Sequence, residues 1–236
     1  MNASDGMDTV WPKIFIDRCE SNYVVLPMVA EFFSSITGLV IAASGLVSLC
    51  TSPYSDELLD LVSATTVVNG VASTLSHATL LRVFGQIDSI TITLGLLLYV
   101  KASVLAHKPQ LTTSRTGRGM LNLLVMSGIS MAIGWNSANL PASVYSRFDL
   151  GLMAFNPIAV IVVTFGVFTL SYGKATWHMG HAKRTAIRAV VVSLFGTACW
   201  AIEELGVFRC PSPVSLHPFW HVSIAYALMA WCEIAA

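Results

Sequence analysis

Charged residues are scarce in this chain of 236 residues: they make up 11% of it, whereas soluble domains carry about 25%. Lysine and arginine together number 13, as do aspartate and glutamate, so the formal net charge is zero. A neutral chain lacks the basic surface that nucleic-acid binding requires. Hydrophobic residues make up 55% of the sequence and the mean hydropathy is +0.69. This composition predicts a protein surrounded by lipid.

Two further features are missing. Residues 1–8 are polar and acidic, and they lack the basic and apolar regions of a cleavable signal peptide. We therefore expect the first spanning segment itself to direct insertion. The sequence has no convincing internal repeat or low-complexity tract. We predict one bundle, residues 28–236, preceded by an N-terminal luminal segment, residues 1–27.

Apolar stretches long enough to cross a membrane occur seven times, each near the roughly 20 residues that a spanning helix needs. They predict an all-α membrane protein with seven spans: Met28–Cys50, Leu58–Leu81, Ile87–Ala106, Met120–Leu140, Leu150–Tyr172, Ala186–Val207 and Leu216–Ala236. The second span is rich in serine, threonine and asparagine between residues 63 and 76. It is too polar to face lipid, so we expect it to face the interior of the bundle.

Basic residues predict the orientation, because cytosolic loops carry more of them. The loops after spans three and five hold Lys108, Arg115, Arg118, Lys174, Lys183, Arg184 and Arg188. The opposite side holds Lys13, Arg18, Arg82, Arg147 and Arg209. This small excess predicts a luminal or extracellular N-terminus and a cytosolic C-terminus. The end of the second span and the start of the seventh then lie on the same, luminal side.

Histidines mark both of those luminal ends. The last span opens with His217 and His221, which are four residues apart and therefore share one face of a helix. That spacing is typical of a zinc-binding pair. The second span ends near His77. We predict a zinc site made by His77, His217 and His221, since catalytic zinc needs three protein ligands.

Two more polar residues lie near the predicted site. Ser73 precedes His77 by four residues and so shares its helix face, and Asp88 follows His77 across a short turn, residues 81–85. The Asp88 carboxylate could orient a water at the metal and take its proton, and the Ser73 hydroxyl could donate to an oxyanion. Simpler explanations exist: a serine in a membrane helix usually bonds its own backbone, and an aspartate can cap a helix.

An acidic cluster precedes the first span, with Asp17, Glu20 and Asn22 in one loop and Glu31 further on. Hard oxygens at alternating positions followed by a later glutamate suit calcium, although the loop is not an EF-hand. The alternative is an ordinary acidic loop with one carboxylate at a helix end.

Several other residues have open roles. Glu203 and Glu204 end the sixth span. One of them either pairs with a luminal arginine such as Arg209 or supports a ligand histidine without binding the metal itself. His178 and His181 lie in a basic loop without acidic or thiol neighbours, which favours a solvated or headgroup-facing position. The five cysteines comprise Cys19 and Cys210 in predicted luminal, oxidising segments, and the predicted membrane-embedded Cys50, Cys199 and Cys232.

The order of these motifs resembles the alkaline ceramidase family, within the CREST superfamily of seven-span hydrolases. The motifs are Asp17-x-Cys19-Glu20-x-Asn22-Tyr23, Ala30-Glu31-Phe32, Ser73-x-x-x-His77, Asp88, Trp200-x-x-Glu203 and His217-x-x-Trp220-His221. The chain departs from the family at Arg18, where a tryptophan is usual, and at Ser89-Ile90-Thr91, where Glu-Leu-Pro is typical. These departures leave room for a relative that hydrolyses another lipid.

The resemblance implies a set of roles. His77, His217 and His221 would bind zinc, with Ser73 and Asp88 flanking the attacking water. Calcium would be bound by Asp17, the carbonyl of Arg18, Glu20, Asn22 and Glu31. Cys19 and Cys210 would form a disulfide. The family cleaves the amide of ceramide into a sphingoid base and a fatty acid, mostly in the membrane of the endoplasmic reticulum or Golgi.

We therefore predict a zinc-dependent amide hydrolase within the membrane, with ceramide and membrane lipids as partners and no nucleic acid. Zinc would lower the pKa of a water toward about 7 and so supply hydroxide. One alternative is a seven-span receptor-like protein with a structural zinc. A proton-relaying transporter is another, but the polar residues concentrate in the luminal half, whereas a relay would need them throughout the membrane.

Overall fold

In the computed structural model, the described residues are 20–51, 57–107, 180–204, 215–235 and scattered helical positions between 117 and 130. The helices among these residues are connected by short segments, and an isolated bridge of strand type joins Leu26 to Val29. The helices are α1 (Phe32–Thr51), α2 (Glu57–Thr79), α3 (Arg82–His107), α4 (Gly180–Glu204) and α5 (His217–Ala235).

Four of the described helices are long and apolar enough to cross a membrane: α1, α2, residues Val83–Ala102 of α3, and Lys183–Glu203 of α4. The prediction of an all-helical membrane protein is confirmed for these parts of the chain. Most of the predicted span Met120–Leu140 and all of Leu150–Tyr172 lie outside the described residues. The count of seven spans and the orientation of the termini therefore stay predictions.

Two helices begin well before the residues that the sequence predicts. The turn expected at residues 81–85 is wrong, because α3 already begins at Arg82. The chain reverses over Leu80 and Leu81, and Leu80 has a left-handed φ of 54°, the conformation that commonly ends a helix. Helix α4 begins at Gly180 instead of Ala186, so its first turns contain basic residues that were assigned to a loop. A hydropathy pattern marks the apolar part of a helix and misses its polar first turns.

Small residues bring α1 and α2 unusually close. A Cβ added at Gly38 would lie 2.6 Å from Thr74 Oγ1 and 2.8 Å from the Thr74 backbone nitrogen. One added at Gly45 would lie 2.7 Å from the Ser63 carbonyl oxygen. Such contacts between backbones require glycine, and interfaces of small residues are typical of helix pairs in membranes. The close approach places the first turns of α1 against the last turns of α2.

The polar face of α2 is buried, as expected. Its buried polar residues are Ser63, Thr65, Thr66, Asn69, Ser73, Ser76 and His77. Thr65 and Thr66 donate to carbonyls of their own helix, at 2.7 Å to Leu61 and 2.9 Å to Val62. Their hydroxyls thus have structural partners. Asn69, Ser73 and His77 instead face other helices, as described below.

Helix α5 packs against both α1 and α4. Trp200 of α4 and Trp220 of α5 lie with ring centroids 6.0 Å apart. They share an apolar cluster with Ile224 and Leu228, and the partly buried Ile92 of α3 packs against it. The opposite side of α4 exposes large apolar side chains, including Val191, Leu194 and Phe195, which suits a lipid-facing surface. This apolar cluster therefore belongs to the same bundle as the buried polar face of α2.

Candidate metal centre

Three histidines from two helices meet in the interior. His77 lies in the last turn of α2, His217 is the first residue of α5, and His221 follows one turn later. All three are buried, with 6%, 4% and 3% of their surface exposed. One potential ligand nitrogen from each lies within 4.8 Å of the others. The imidazole cluster predicted from the sequence is therefore present in the fold.

Glu31 contacts the ring of His77 at its Nδ1 atom. The Glu31 Oε2 atom is 2.5 Å from His77 Nδ1, and Glu31 is fully buried. The backbone N–H of Glu31 donates to the His77 carbonyl, and that of Ala30 to the Ala78 carbonyl, each at 3.0 Å. The segment before α1 thus supplies hydrogen-bond donors to two backbone carbonyls at the end of α2. Because Nδ1 faces the carboxylate, His77 Nε2 is the nitrogen available to a metal.

The backbone of α1 orients His221. Its Nδ1 atom lies 3.2 Å from the Ser34 carbonyl oxygen and 3.0 Å from Thr37 Oγ1. A carbonyl only accepts, so Nδ1 carries the hydrogen in that contact and Nε2 is the available ligand atom. Ser73 Oγ lies 3.4 Å from this Nε2 atom. Ser73 is 1% exposed, and among the described residues its hydroxyl contacts this histidine instead of a carbonyl of its own helix.

Glu203 fixes the start of α5, whereas the side chain of Glu204 lies outside the described residues. Its Oε2 atom accepts hydrogen bonds from the backbone N–H groups of Leu216 at 2.7 Å and His217 at 3.0 Å, and from the Ser215 hydroxyl at 3.0 Å. A carboxylate at a helix N-terminus satisfies unpaired N–H groups and complements the helix dipole. Glu203 therefore positions the first ligand-bearing turn through the backbone.

Asp88 contacts α2 on the helix face that carries Ser73 and His77. It lies in the second turn of α3, so it does not cap that helix. Asn69 Nδ2 donates to Asp88 Oδ1 at 2.7 Å and to the Asp88 carbonyl at 2.9 Å. Asn69 precedes Ser73 by one turn and His77 by two. The hairpin thus brings Asp88 to the turn of α2 that precedes Ser73.

Of the predicted calcium ligands, Glu20, Asn22 and Glu31 are described, whereas Asp17 and Arg18 lie outside the described residues. Glu20 is buried and caps α1: its carboxylate accepts from the N–H of Phe33 at 2.5 Å and of Ser34 at 2.9 Å. Glu31 lies against His77. In the described part of the chain, the three histidines are the only group of His, Cys, Asp or Glu found close enough to share an ion.

The remaining residues with open roles fall in two groups. Cys50 is exposed and Cys199 is buried, and both are free thiols. Cys19, Cys210, His178 and Arg209 lie outside the described residues, as do the side chains of His181, Glu204 and Cys232. The predicted disulfide between Cys19 and Cys210 therefore stays a prediction.

Sequence reasoning missed Asn69 and the partners of two ligand histidines. The spacing of Asn69, Ser73 and His77, four residues at each step, was the available signal for the first. The Ser34 carbonyl and the Glu31 carboxylate gave none, because their contacts depend on how α1 packs against α2 and α5.

The donor set fits a metal of zinc type. Three imidazoles with an open fourth position are one of the known ligand sets of catalytic zinc, and nitrogen donors suit this ion. Hydrogen bonds to the rear nitrogens of His77 and His221 are the outer support that metal-binding imidazoles normally have. The buried Ser73 hydroxyl lies beside the cluster, 3.4 Å from His221 Nε2.

Comparison with known proteins gives consistent matches. The family model described as Ceramidase matches residues 14–236. An alkaline ceramidase of Arabidopsis thaliana is 25% identical over 231 residues, covering 94% of this chain and 84% of the relative. An alkaline ceramidase of Saccharomyces cerevisiae is 23% identical over 224 residues, covering 88% and 71%. These matches confirm the resemblance inferred from the motifs.

Proposed function

Because this chain belongs to the ceramidase family, we propose that it is a zinc-dependent amide hydrolase of the membrane that cleaves ceramide into a sphingoid base and a fatty acid. The observation that carries the proposal is the buried cluster of His77, His217 and His221 with the Ser73 hydroxyl beside it. The alkaline ceramidases that cover most of the chain support the same reaction.

His77, His217 and His221 would hold the zinc ion through one nitrogen each. A zinc ion in such a site supplies a Lewis acid that activates water near neutral pH and polarises a carbonyl. Glu31 keeps the ring of His77 in one orientation, and the Ser34 carbonyl does the same for His221. The imidazoles are thereby preorganised for one ion.

Ser73 and Asp88 would carry the proton and charge movements. Water oxygen forms the bond to the amide carbon, and the C–N bond breaks. The Asp88 carboxylate takes the proton of the attacking water and passes it to the departing nitrogen. The Ser73 Oγ–H donates to the oxygen on which negative charge develops. The products are a free amine and a carboxylic acid, so the atoms balance without a further reactant.

The substrate tails would occupy the apolar part of the bundle. Trp220 lies between the two histidines of α5 in sequence and belongs to the cluster with Trp200 and Ile224. An apolar wall next to a polar centre suits a lipid whose amide lies at the depth of the histidines. We place the enzyme, with seven spans and a luminal active site, in the membrane of the endoplasmic reticulum or Golgi.

A structural calcium site belongs to the same proposal, with Asp17, the Arg18 carbonyl, Glu20, Asn22 and Glu31 as its ligands. Two described residues of this set, Glu20 and Glu31, support neighbouring elements: one caps α1 and the other contacts His77. Calcium would thus stabilise the segment that holds the first zinc ligand. Calorimetric titration of the zinc-loaded protein with calcium tests this proposal, and the absence of binding at millimolar calcium would exclude the site.

Substitution of one ligand tests the function. We expect His217→Ala to lose bound zinc and to lower ceramide turnover by at least about 100-fold, the upper range for loss of even an outer partner. Metal analysis and fatty-acid release from a panel of ceramides and other lipid amides measure both quantities. His107→Ala, at the end of α3 and outside the cluster, is the matched control and should keep both.

Each alternative has its own outcome in this experiment. A receptor-like protein with structural zinc would bind the metal without hydrolysing any lipid of the panel. A relative with another substrate would release product from a different lipid and not from ceramide. Zinc content and ceramide turnover that both survive His217→Ala would contradict the proposed site.

A further inference from the structure

Asn69 is buried on the polar face of α2, with 3% of its surface exposed, and its amide is directed at α3. Its Nδ2 atom lies 2.7 Å from Asp88 Oδ1, 2.9 Å from the Asp88 carbonyl oxygen and 3.2 Å from Thr91 Oγ1. One amide group thus reaches both the side chain and the backbone of Asp88. This double contact fixes the direction of the carboxylate as well as the place of the helix.

The chemistry of these contacts requires an amide. An NH₂ group offers two hydrogens, and both oxygens of Asp88 can only accept when the carboxylate is ionised. An aspartate at position 69 would set oxygen against oxygen, and an alanine would leave the carboxylate without this donor. Thr91 Oγ1 already donates to carbonyls of its own helix, at 2.7 Å to Ile87. The contact with Thr91 is therefore the weakest of the three.

The position of Asn69 joins Asp88 to the histidine centre. Asn69, Ser73 and His77 are spaced by four residues and share one face of α2, where such neighbours have Cβ atoms about 5–6 Å apart. Ser73 in turn lies 3.4 Å from His221 Nε2. A carboxylate held at Asn69 therefore lies one helical turn from the hydroxyl that faces the ligand histidine.

We propose that Asn69 is a positioning residue: it holds the Asp88 carboxylate in the orientation from which Asp88 moves the proton in amide hydrolysis. This inference rests on the proposed function of the site. The rival explanation is that Asn69 only fastens α2 to α3. The two explanations predict different effects of substituting Asn69. Loss of a purely structural contact lowers the fraction of folded protein, whereas loss of a positioning residue lowers the turnover of each folded, zinc-loaded molecule.

The experiment measures kcat, KM, zinc content and Tm for Asn69→Ala and Thr91→Val in the full-length protein. We expect Asn69→Ala to lower kcat per zinc-loaded molecule by roughly 10- to 100-fold, as loss of an outer partner does, with KM changed less than about threefold. Thr91→Val removes the third contact, together with the bonds from the Thr91 hydroxyl to carbonyls of its own helix, but it leaves both contacts of Asn69 with Asp88, so it should keep kcat within about twofold. Equal kcat values for Asn69→Ala and wild type, per zinc-loaded molecule, would overturn the proposal.

A double-mutant cycle measures whether the effects of Asn69 and Asp88 on kcat are coupled. A residue that only holds α2 against α3 would not produce this coupling. If Asn69 acts through Asp88, Asn69→Ala should lower kcat less than about twofold further in an Asp88→Asn background. The exchange variant Asn69→Asp/Asp88→Asn keeps an amide–carboxylate pair between the helices but moves the carboxylate to α2. We expect it not to recover kcat, and recovery of kcat would overturn the proposal.

Two outcomes separate this inference from the function on which it rests. A wild-type protein that releases no fatty acid from any ceramide contradicts the proposed function. If the wild type is active but Asn69→Ala and Asp88→Asn lower kcat by independent factors, only the proposed role of Asn69 is contradicted. If Asn69→Ala does not fold, Asn69→Ser, which keeps one donor in a smaller side chain, is measured with the same criteria and an intermediate kcat is expected.

Discussion

Glu31, which directly precedes α1, contacts the candidate metal centre through both its side chain and its backbone. Its carboxylate lies 2.5 Å from His77 Nδ1 while its backbone N–H donates to the carbonyl of the same histidine. Side chain and backbone therefore fix the ring and the helix end together. A buried carboxylate on the rear nitrogen of a ligand imidazole raises the basicity of the ligand and sets its tautomer.

Replacing this carboxylate by an amide should weaken metal binding. Glu31→Gln keeps the shape of the side chain but removes the charge, so we expect zinc affinity to fall roughly 10- to 100-fold. Competition with a metal-sensitive dye measures the affinity of the purified protein. Glu20→Gln is the matched control, because Glu20 caps α1 without contacting a ligand histidine. The same loss of affinity in both variants would show that the effect comes from the segment and not from the contact with His77.

The ligand residues could be predicted from the sequence more readily than their supports. His217 and His221 follow from helical spacing, and His77 follows from the expectation that spans two and seven begin or end on one side of the membrane. The contact of Asn69 with Asp88 depends on a reversal of only two residues, Leu80 and Leu81. A turn longer by three residues would place a different face of α3 against α2, and no composition pattern distinguishes these registers.

At the level of helices, the contact of α1 with α2 sets the geometry of the centre. Gly38 faces Thr74, the residue after Ser73, and it follows Ser34 by one turn. The Ser34 carbonyl is the partner of His221 Nδ1. The helix that carries this carbonyl is therefore held against α2 one turn away, at Gly38.

A single methyl group at this contact should separate the helices. In Gly38→Ala the new Cβ would meet Thr74 Oγ1 at 2.6 Å and the Thr74 backbone nitrogen at 2.8 Å, so we expect a loss of about 1–3 kcal/mol, typical of overpacking. Gly95→Ala in α3 is the control, because its Cβ would meet only Thr65 Cγ2 at 3.7 Å. Thermal unfolding in detergent compares the two variants. A Gly38→Ala protein as stable as Gly95→Ala would contradict the close approach.

The helices themselves could be predicted as apolar stretches, but their polar ends could not. Helix α3 starts with Arg82 and reaches Asp88 only in its second turn, while α4 starts in basic residues that a hydropathy window assigns to a loop. At the other end, residues 28–31 were assigned to the first span but precede α1. Ala30 and Glu31 instead donate to carbonyls at the end of α2, a long-range contact that local sequence does not encode.

Across the whole molecule, the candidate metal centre joins parts of the chain that are far apart in sequence. His77 belongs to α2, whereas His217 and His221 belong to α5, and α1 packs against both of these helices. Three buried imidazoles without an ion would leave polar nitrogens facing one another in a low-dielectric interior. Ion binding to this centre should therefore stabilise the assembled bundle and not only activate a water.

Metal removal should lower the stability of the wild-type protein by a definite amount. An ion present at about 100 times its Kd stabilises the folded state by about 2.7 kcal/mol, which for a chain of this size corresponds to a Tm change of roughly 5–10 °C. We expect phenanthroline, which removes zinc and leaves calcium in place, to lower Tm by this amount, and added zinc to restore it. His217→Ala should begin at the lower Tm and not respond. A drop of equal size in His217→Ala would mean that the chelator acts elsewhere, and the three histidines would then not be the ion-dependent connection between α2 and α5.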